Sequence, residues 1–104
     1  MQLKGTVGNK GYAKGVAKVI KQEADLEKVA QGDILVLEQG NAAIIKVVSK
    51  ISGIITDHGG LTSHAALLAR EHNLPCVIGA QTATRGIKDG QLVELNAETG
   101  IINF

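Results

Sequence analysis

Three short apolar runs constrain this chain most: "DILVLE" (33–38), "GIIT" (53–56) and "CVIG" (76–79). Such runs are too brief for a helix, and their centres lack the alternating polar residues of a strand with one wet face. "DILVLE" and "GIIT" therefore read as strands covered on both faces, and "CVIG" as a third strand. Large aromatics contribute little to that covering, because Tyr12 and Phe104 are the only two Phe, Tyr or Trp residues. The core must be built from Ile, Val, Leu and Ala. A chain of 104 residues is the size of one domain, 1–104, and buries such a core without disulfides or metal as staples.

The rest of the pattern supplies turns and short helices. Thirteen glycines imply many tight turns. "LKGTVG" and "GVAKVIK" carry β-branched residues and flank the Gly-rich "GNKGYAKG", which is the pattern of a hairpin. Lys-Gly recurs at 4–5, 10–11 and 14–15, but the GxxxxGK[ST] spacing and a following helix are missing, so these glycines read as turns and not as a phosphate loop. "EADLEKVAQG" predicts a short helix capped by Asp25 and stopped by Gly32. Asn41 is placed to cap a helix through "AAIIKVVSK". Its Ile44, Val47, Val48 and Ile51 share one face and Lys46 and Lys50 the other, with a strand as the competing reading because of the β-branched residues.

A further helix is expected over roughly 63–72. Asn73 suits a left-handed residue past its end, Leu74 the hydrophobic contact that follows, and Pro75 forbids continuation. "IKDGQLVELN" holds an Asp-Gly turn and an alternating strand, and "AETG" makes a last turn before "IINF". Short strands mixed with two or three helices indicate an α/β domain, with no internal repeat or linker.

Charge excludes several functions. The net charge is +1, and no stretch concentrates Lys and Arg without interleaved acids, so neither a nucleic-acid partner nor a membrane surface is expected. Apolar runs such as "AALLA" fall short of a membrane span, and the N-terminus lacks a signal-peptide core. The single cysteine, Cys76, excludes an internal disulfide and suits a reducing compartment. The expected location is the cytoplasm.

The chemistry concentrates in "GGLTSHAALLAR" (59–70). A strand ends at 56, Gly59 and Gly60 allow a sharp turn and close approach of a ligand, and a helix begins at Thr62 or Ser63. The first turn of a helix has backbone N–H groups without internal partners and the positive end of the helix dipole, so it receives anions. Thr62 and Ser63 add two hydroxyls, one of which can serve as the N-cap. A free imidazole is mostly neutral, hence nucleophilic, at pH 7. A helix N-terminus disfavours the imidazolium by up to ~2 kcal/mol and stabilises a phosphoryl group attached to the ring. His64 is thus placed both to react and to hold an anionic product. The competing readings are a polar surface or capping histidine, a hydrolase using Ser63, and a metal site from His58, His64 and His72. G-x-S-x-G is absent, and histidine spacings of six and eight residues match no helix-face ligand pair.

Residues 56–80, "TDHGGLTSHAALLAREHNLPCVIGA", closely resemble the phosphohistidine, or swivelling, domain of the phosphoenolpyruvate-utilising enzymes. That family includes pyruvate phosphate dikinase, phosphoenolpyruvate synthase and enzyme I of the sugar phosphotransferase system. The likeness continues more weakly through "GDILVLE" and "IKDGQLVELNAETG". It implies an α/β fold in three layers, β/β/α. It also implies that His64 is the residue phosphorylated on a ring nitrogen, Nε2 by analogy. Gly59, Gly60, Thr62 and Ser63 match the phosphate-binding turn, and the position of Thr62 is a regulatory phosphorylation site in some relatives. Arg70 and Gly79 match positions that support the site. Two departures stand out. The Thr that begins the preceding helix in many relatives is replaced by "EQGNAAI" with Asn41, Ala42 and Ala43, so the histidine must be oriented from elsewhere. The usual Asp near the C-terminus is Asn96, which reads as structural drift.

The same resemblance implies a transferase component: a carrier that relays a phosphoryl group between an ATP-grasp nucleotide-binding unit and a barrel binding phosphoenolpyruvate or pyruvate. Neither partner fits within 104 residues. No cofactor is expected on this domain, and Mg²⁺ is expected on the partner domains. The Met1 start slightly favours a separately encoded subunit. The alternative function is a non-catalytic regulatory or interaction module that keeps the fold.

Overall fold

The computed structural model describes residues 1–104. The three apolar runs form strands β4 (Ile34–Leu37), β5 (Gly53–Thr56) and β6 (Cys76–Ile78), and every residue in them is buried. They lie parallel, with Ile34 opposite Gly53 and Ile54 opposite Cys76. Successive side chains point to opposite faces. Ile34, Val36, Ile55 and Val77 accordingly enter one apolar core, while Leu35, Leu37, Ile54, Cys76 and Ile78 enter a second. Two cores on two faces require three layers.

The remaining strands are β1 (Gln2–Lys4), β2 (Thr6–Asn9), β3 (Tyr12–Ile20), β7 (Leu92–Asn96) and β8 (Ile101–Asn103). Hydrogen bonding runs in the order β1-β8-β7-β3-β4-β5-β6-β2. Strand β3 belongs to two layers. Tyr12 to Val16 pair antiparallel with β7, and Ala17 to Ile20 pair parallel with β4. The chain crosses between layers again at Gly5, the only residue between β1 and β2, which lie at opposite ends of that order. The first core fills the space between the two β layers, where Ala13, Val93, Leu95 and Ile102 meet Ile34, Val36, Ile55 and Val77. The second core is closed by helix α1 (His64–Glu71) and two 3₁₀ segments, Glu23–Lys28 and Ala42–Lys46. The architecture is the expected three-layer β/β/α arrangement.

Four expectations need correction. The first strands do not form a hairpin: β2 pairs with β6 and β3 with β7 and β4, because β3 must bridge the layers and β2 closes the far edge. Gly15 is not in a turn but within β3, where a Cβ would collide with the carbonyl of Gly32. Asp25 caps its 3₁₀ segment from inside the first turn, accepting from the amides of Lys21 (2.9 Å) and Gln22 (3.1 Å), and the N-cap residue is Gln22. The helix from Asn41 is a 3₁₀ segment that ends at Lys46. Its cap is as expected, with Asn41 Oδ1 accepting from the Ala43 amide at 2.8 Å, and Ile44, Val47, Val48 and Ile51 are all buried. The β-branched residues that follow take turn conformations instead of lengthening the helix. A short helix α2 (Ala83–Gly86) has no counterpart in the sequence reading, and its Ala83, with the following Ile87, belongs to the first core.

Candidate functional site

Strands β4, β5 and β6 all end at one edge of the sheet, and the motif turn lies there. Past the end of β5, the Thr56 hydroxyl donates to the carbonyl of His58 at 2.8 Å and the amide of Asp57 donates to Leu37 O at 3.1 Å. Gly59 then takes φ +121°, and a Cβ there would sit 3.2 Å from Ser63 Cβ, so both backbone and space demand glycine. Gly60 has open space around it, and its carbonyl accepts from the Ser63 amide at 3.0 Å. Glycine at 60 is therefore not enforced by crowding.

Ser63 is the N-cap of α1. Its hydroxyl accepts from the Ala66 amide at 3.3 Å, and its carbonyl accepts from the Leu67 amide at 3.0 Å. This makes His64 the first helical residue. Its side chain is exposed, neither ring nitrogen is hydrogen-bonded to the protein, and its backbone N–H has no protein acceptor. Thr62 is exposed with an unengaged hydroxyl. Of the two hydroxyls beside the histidine, one holds the helix and the other is free.

The start of α1 is held from two sides. Gly40 packs so tightly on it that an added Cβ would lie 2.6 Å from both the backbone nitrogen and the Cβ of Ala65. Arg70, one end of the helix away, donates to the carbonyl of Leu61 at 2.7 Å and to that of Gly8 at 3.4 Å. Arg70 therefore ties the motif turn to β2. The far end of α1 is closed as expected: Asn73 has φ +52°, the Leu74 amide donates to Ala69 O at 2.8 Å, and Leu74 packs on the second core.

Gly79 takes φ +68°, and its nearest neighbour in that direction is the carbonyl of Gly59 at 3.9 Å from an added Cβ. Just beyond it, the amides of Ala80 and Gln81 donate to the carbonyls of Thr56 and Asp57, both at 2.9 Å. The Asp57 side chain is buried and accepts from the Thr84 amide at 3.1 Å and from the Thr84 hydroxyl. Gly40, Asp57 and Thr84 thus brace the turn without having been singled out from sequence. Asp57 lies within the motif, whereas Gly40 and Thr84 carry no local signal.

Other candidates are not assembled. Asn41 is engaged on Ala43 and does not reach His64; Asn96 Oδ1 accepts from the amides of Glu98 (3.0 Å) and Thr99 (3.3 Å), which is a turn-capping role. No three His, Cys, Asp or Glu side chains are placed to share a metal ion, so His58, His64 and His72 do not come together as a ligand set. Burial pushes the Cys76 thiol up to about 12, opposed by the charge of Arg70, which leaves it unreactive at neutral pH.

The sequence family described as the mobile domain of PEP-utilising enzymes matches residues 29–100, the stretch that holds the strand, the two-glycine turn and the capped helix with His64 at its first position. The chain belongs to this family. A probable phosphoenolpyruvate synthase of Archaeoglobus fulgidus is 40% identical over 96% of the chain, and the phosphoenolpyruvate synthase of Pyrococcus furiosus is 37% identical over 96%. The chain spans only 13% and 12% of those proteins, so it corresponds to one part of a multidomain enzyme. Chondramide synthase of Chondromyces crocatus is 41% identical over 99% of the chain, which spans 3% of that protein. Among solved structures, an enzyme I protein superposes with a TM-score of 0.64 at 28% identity over 75% of this chain and 32% of that one. Aconitase X of Thermococcus kodakaraensis superposes with a TM-score of 0.76 at 21% identity over 99% and 97% of the two chains, a likeness of fold alone. No helix is long and apolar enough to cross a membrane.

Proposed function

We propose that this mobile domain is a phosphoryl carrier, with His64 as the residue that takes up and gives away the group. The observation that carries the reading is an exposed imidazole at the first position of a capped helix, its ring nitrogens unengaged. A ring nitrogen attacks the phosphorus of the donor; the N–P bond forms as the P–O bond to the leaving group breaks, and the leaving oxygen keeps the electron pair. The second transfer reverses this chemistry towards the acceptor. The phosphorylated ring places its negative charge at the N-terminus of α1, where the dipole and unpaired amides favour it. Gly59, Gly60, Thr62 and Ser63 shape the turn, with Thr62 as the free hydroxyl. Arg70 and Gly79 hold that turn and do not touch the group.

The chain offers a nucleophile but few groups to neutralise charge in the transition state, which phosphoryl transfer needs. Partner domains supply that function: a nucleotide-binding ATP-grasp unit and a barrel for phosphoenolpyruvate or pyruvate, with Mg²⁺ held there. A regulatory module remains the second reading, favoured by one observation: no side chain hydrogen-bonds the His64 ring, and Asn41 is committed to Ala43. The two readings separate in one experiment. The chain is incubated with the partner domains of a phosphoenolpyruvate synthase and either phosphoenolpyruvate or ATP, then weighed by mass spectrometry. The expected result is one acid-labile phosphoryl group per chain, absent in His64→Ala. No uptake from either donor, or uptake that survives His64→Ala, overturns the carrier reading.

A further inference from the structure

The helix that carries His64 has an inverted distribution of side-chain size. Its buried face is Ala65, Ala66 and Ala69, small enough for α1 to lie close on β2, where an added Cβ at Gly8 would sit 3.6 Å from Ala66 Cβ. By helical spacing, His64, Leu67 and Glu71 fall on the opposite, outward face, and all three are exposed. A surface helix ordinarily turns charged and polar residues to that side. Here Leu67 is 43% exposed, and Leu61, before the histidine in the motif turn, is 54% exposed. Leu68, by contrast, is half-buried against the second core.

Neither exposed leucine serves the fold. Both side chains lie outside the two apolar cores, and what holds Leu61 is its carbonyl, which accepts from Arg70. Residues 59–69 contain no Asp, Glu, Lys or Arg, although 20% of the chain is charged. On the outward face of α1 the one charge is that of Glu71, two turns from His64. A single exposed leucine needs no explanation. Two that bracket the exposed histidine, on an uncharged surface, do.

We infer that Leu61 and Leu67 form the docking surface for the domain that holds the phosphoryl donor. The inference rests on His64 being the carrier: its ring must come within bonding distance of a phosphorus atom held in another domain, so the surface around it is the surface that domain covers. The phosphoenolpyruvate synthases of which this chain spans 13% and 12% have ample further chain for such a domain. Charge decides the chemistry of the partner's rim. A charged residue set against either leucine would lose its water with no counter-charge, so the rim is apolar or neutral and the partner's cations are confined to the phosphoryl group. Leucines pressed against such a rim also exclude water, which would otherwise compete with the imidazole for that group. Two leucines make a small patch, which suits a contact that forms and breaks with every transfer.

The test compares two donors on the wild type, Leu61→Gln, Leu67→Gln and, as control, Leu92→Gln. Leu92 is 56% exposed on β7, in the layer far from α1. Potassium phosphoramidate phosphorylates histidine without a protein partner: the ring nitrogen attacks phosphorus, the reagent's own P–N bond breaks, and ammonia leaves. The partner domains of a phosphoenolpyruvate synthase, with phosphoenolpyruvate or ATP, deliver the group by docking. Label at His64 is read by fragment mass spectrometry. With the partner domains, Leu61→Gln and Leu67→Gln should each lower kcat/KM about tenfold, chiefly through KM, the effect of removing one buried leucine from an interface. Leu92→Gln should match the wild type, and with phosphoramidate all four should label at one rate. Leucine variants as fast as the wild type with the partner domains, or slowed equally with both donors, overturn the docking surface and leave the carrier reading intact. A wild type that the partner domains do not label overturns both. A dimer of wild-type chains that Leu67→Gln disperses, seen by analytical ultracentrifugation, assigns the face to a second copy and overturns the inference.

Discussion

Gly40→Ala isolates the role of tertiary packing at the site. Gly40 does not need its glycine for a left-handed backbone; it needs it for space. A methyl group there would lie 2.6 Å from the nitrogen and Cβ of Ala65 and 3.0 Å from its Cα. Two of those atoms are backbone, so no rotamer change relieves the overlap. Either α1 or the 38–41 segment must move by about 1 Å to restore ordinary contact. Overpacking of this kind costs about 1–3 kcal/mol. The stiffer unfolded chain of the alanine variant offsets about 0.4–1 kcal/mol of that. The net loss of about 1–2 kcal/mol corresponds to a fall in Tm of about 5–15 °C for a domain of this size. Thermal unfolding followed by circular dichroism measures it, with Gly60→Ala as the comparator. Gly60 has nothing within 4 Å, so that variant should stay within about 0.5 kcal/mol of the wild type. The amide signals of His64, Ala65 and Ala66 should shift in Gly40→Ala alone. A Gly40→Ala protein that melts at or above the wild-type temperature refutes the packing argument.

Ser63→Ala removes the cap of α1 and should cost about 1 kcal/mol, while Ser63→Asp, which can accept from the Ala66 amide, should recover most of it; urea unfolding of the three proteins checks this. Cys76 predicts a pH dependence. Its thiol is raised from 9.0 to about 12 in the folded protein, so the folded state holds its proton where the unfolded state has released it. The stability this contributes is complete below pH 9 and is lost as pH rises from 9 towards 12. The difference in unfolding free energy between wild type and Cys76→Ala should fall across that window by about 1.4 kcal/mol per pH unit at most. A difference that stays flat would show that the thiol is not buried as described.

The strands and the motif were legible because their signals are local. "ILVL", "GIIT" and "CVI" became buried strands, and the Asn73-Leu74-Pro75 sequence ended α1 where its backbone preferences require. His64 and Gly59 likewise carried their positions in residue type, an imidazole after a hydroxyl cap and a backbone that only glycine adopts readily, while the choice of Ser63 over Thr62 as that cap came from the structure. What sequence reasoning missed were relations between distant segments. A run of β-branched residues does not say which strand it will pair with, so the early hairpin was a reasonable local pattern that the layered fold overrode.

The amino-acid order by itself determined the three buried strands, a hydroxyl cap for α1 at Thr62 or Ser63 and which histidine stands near its head, since each follows from the side chains and backbone of a few adjacent residues. Only the tertiary structure decided that β3 serves two layers, that Gly40 and Arg70 pin the motif turn, and that Leu61 and Leu67 stay exposed beside His64. Those outcomes depend on which segments come within a few ångströms of one another, and packing across the whole chain sets that distance.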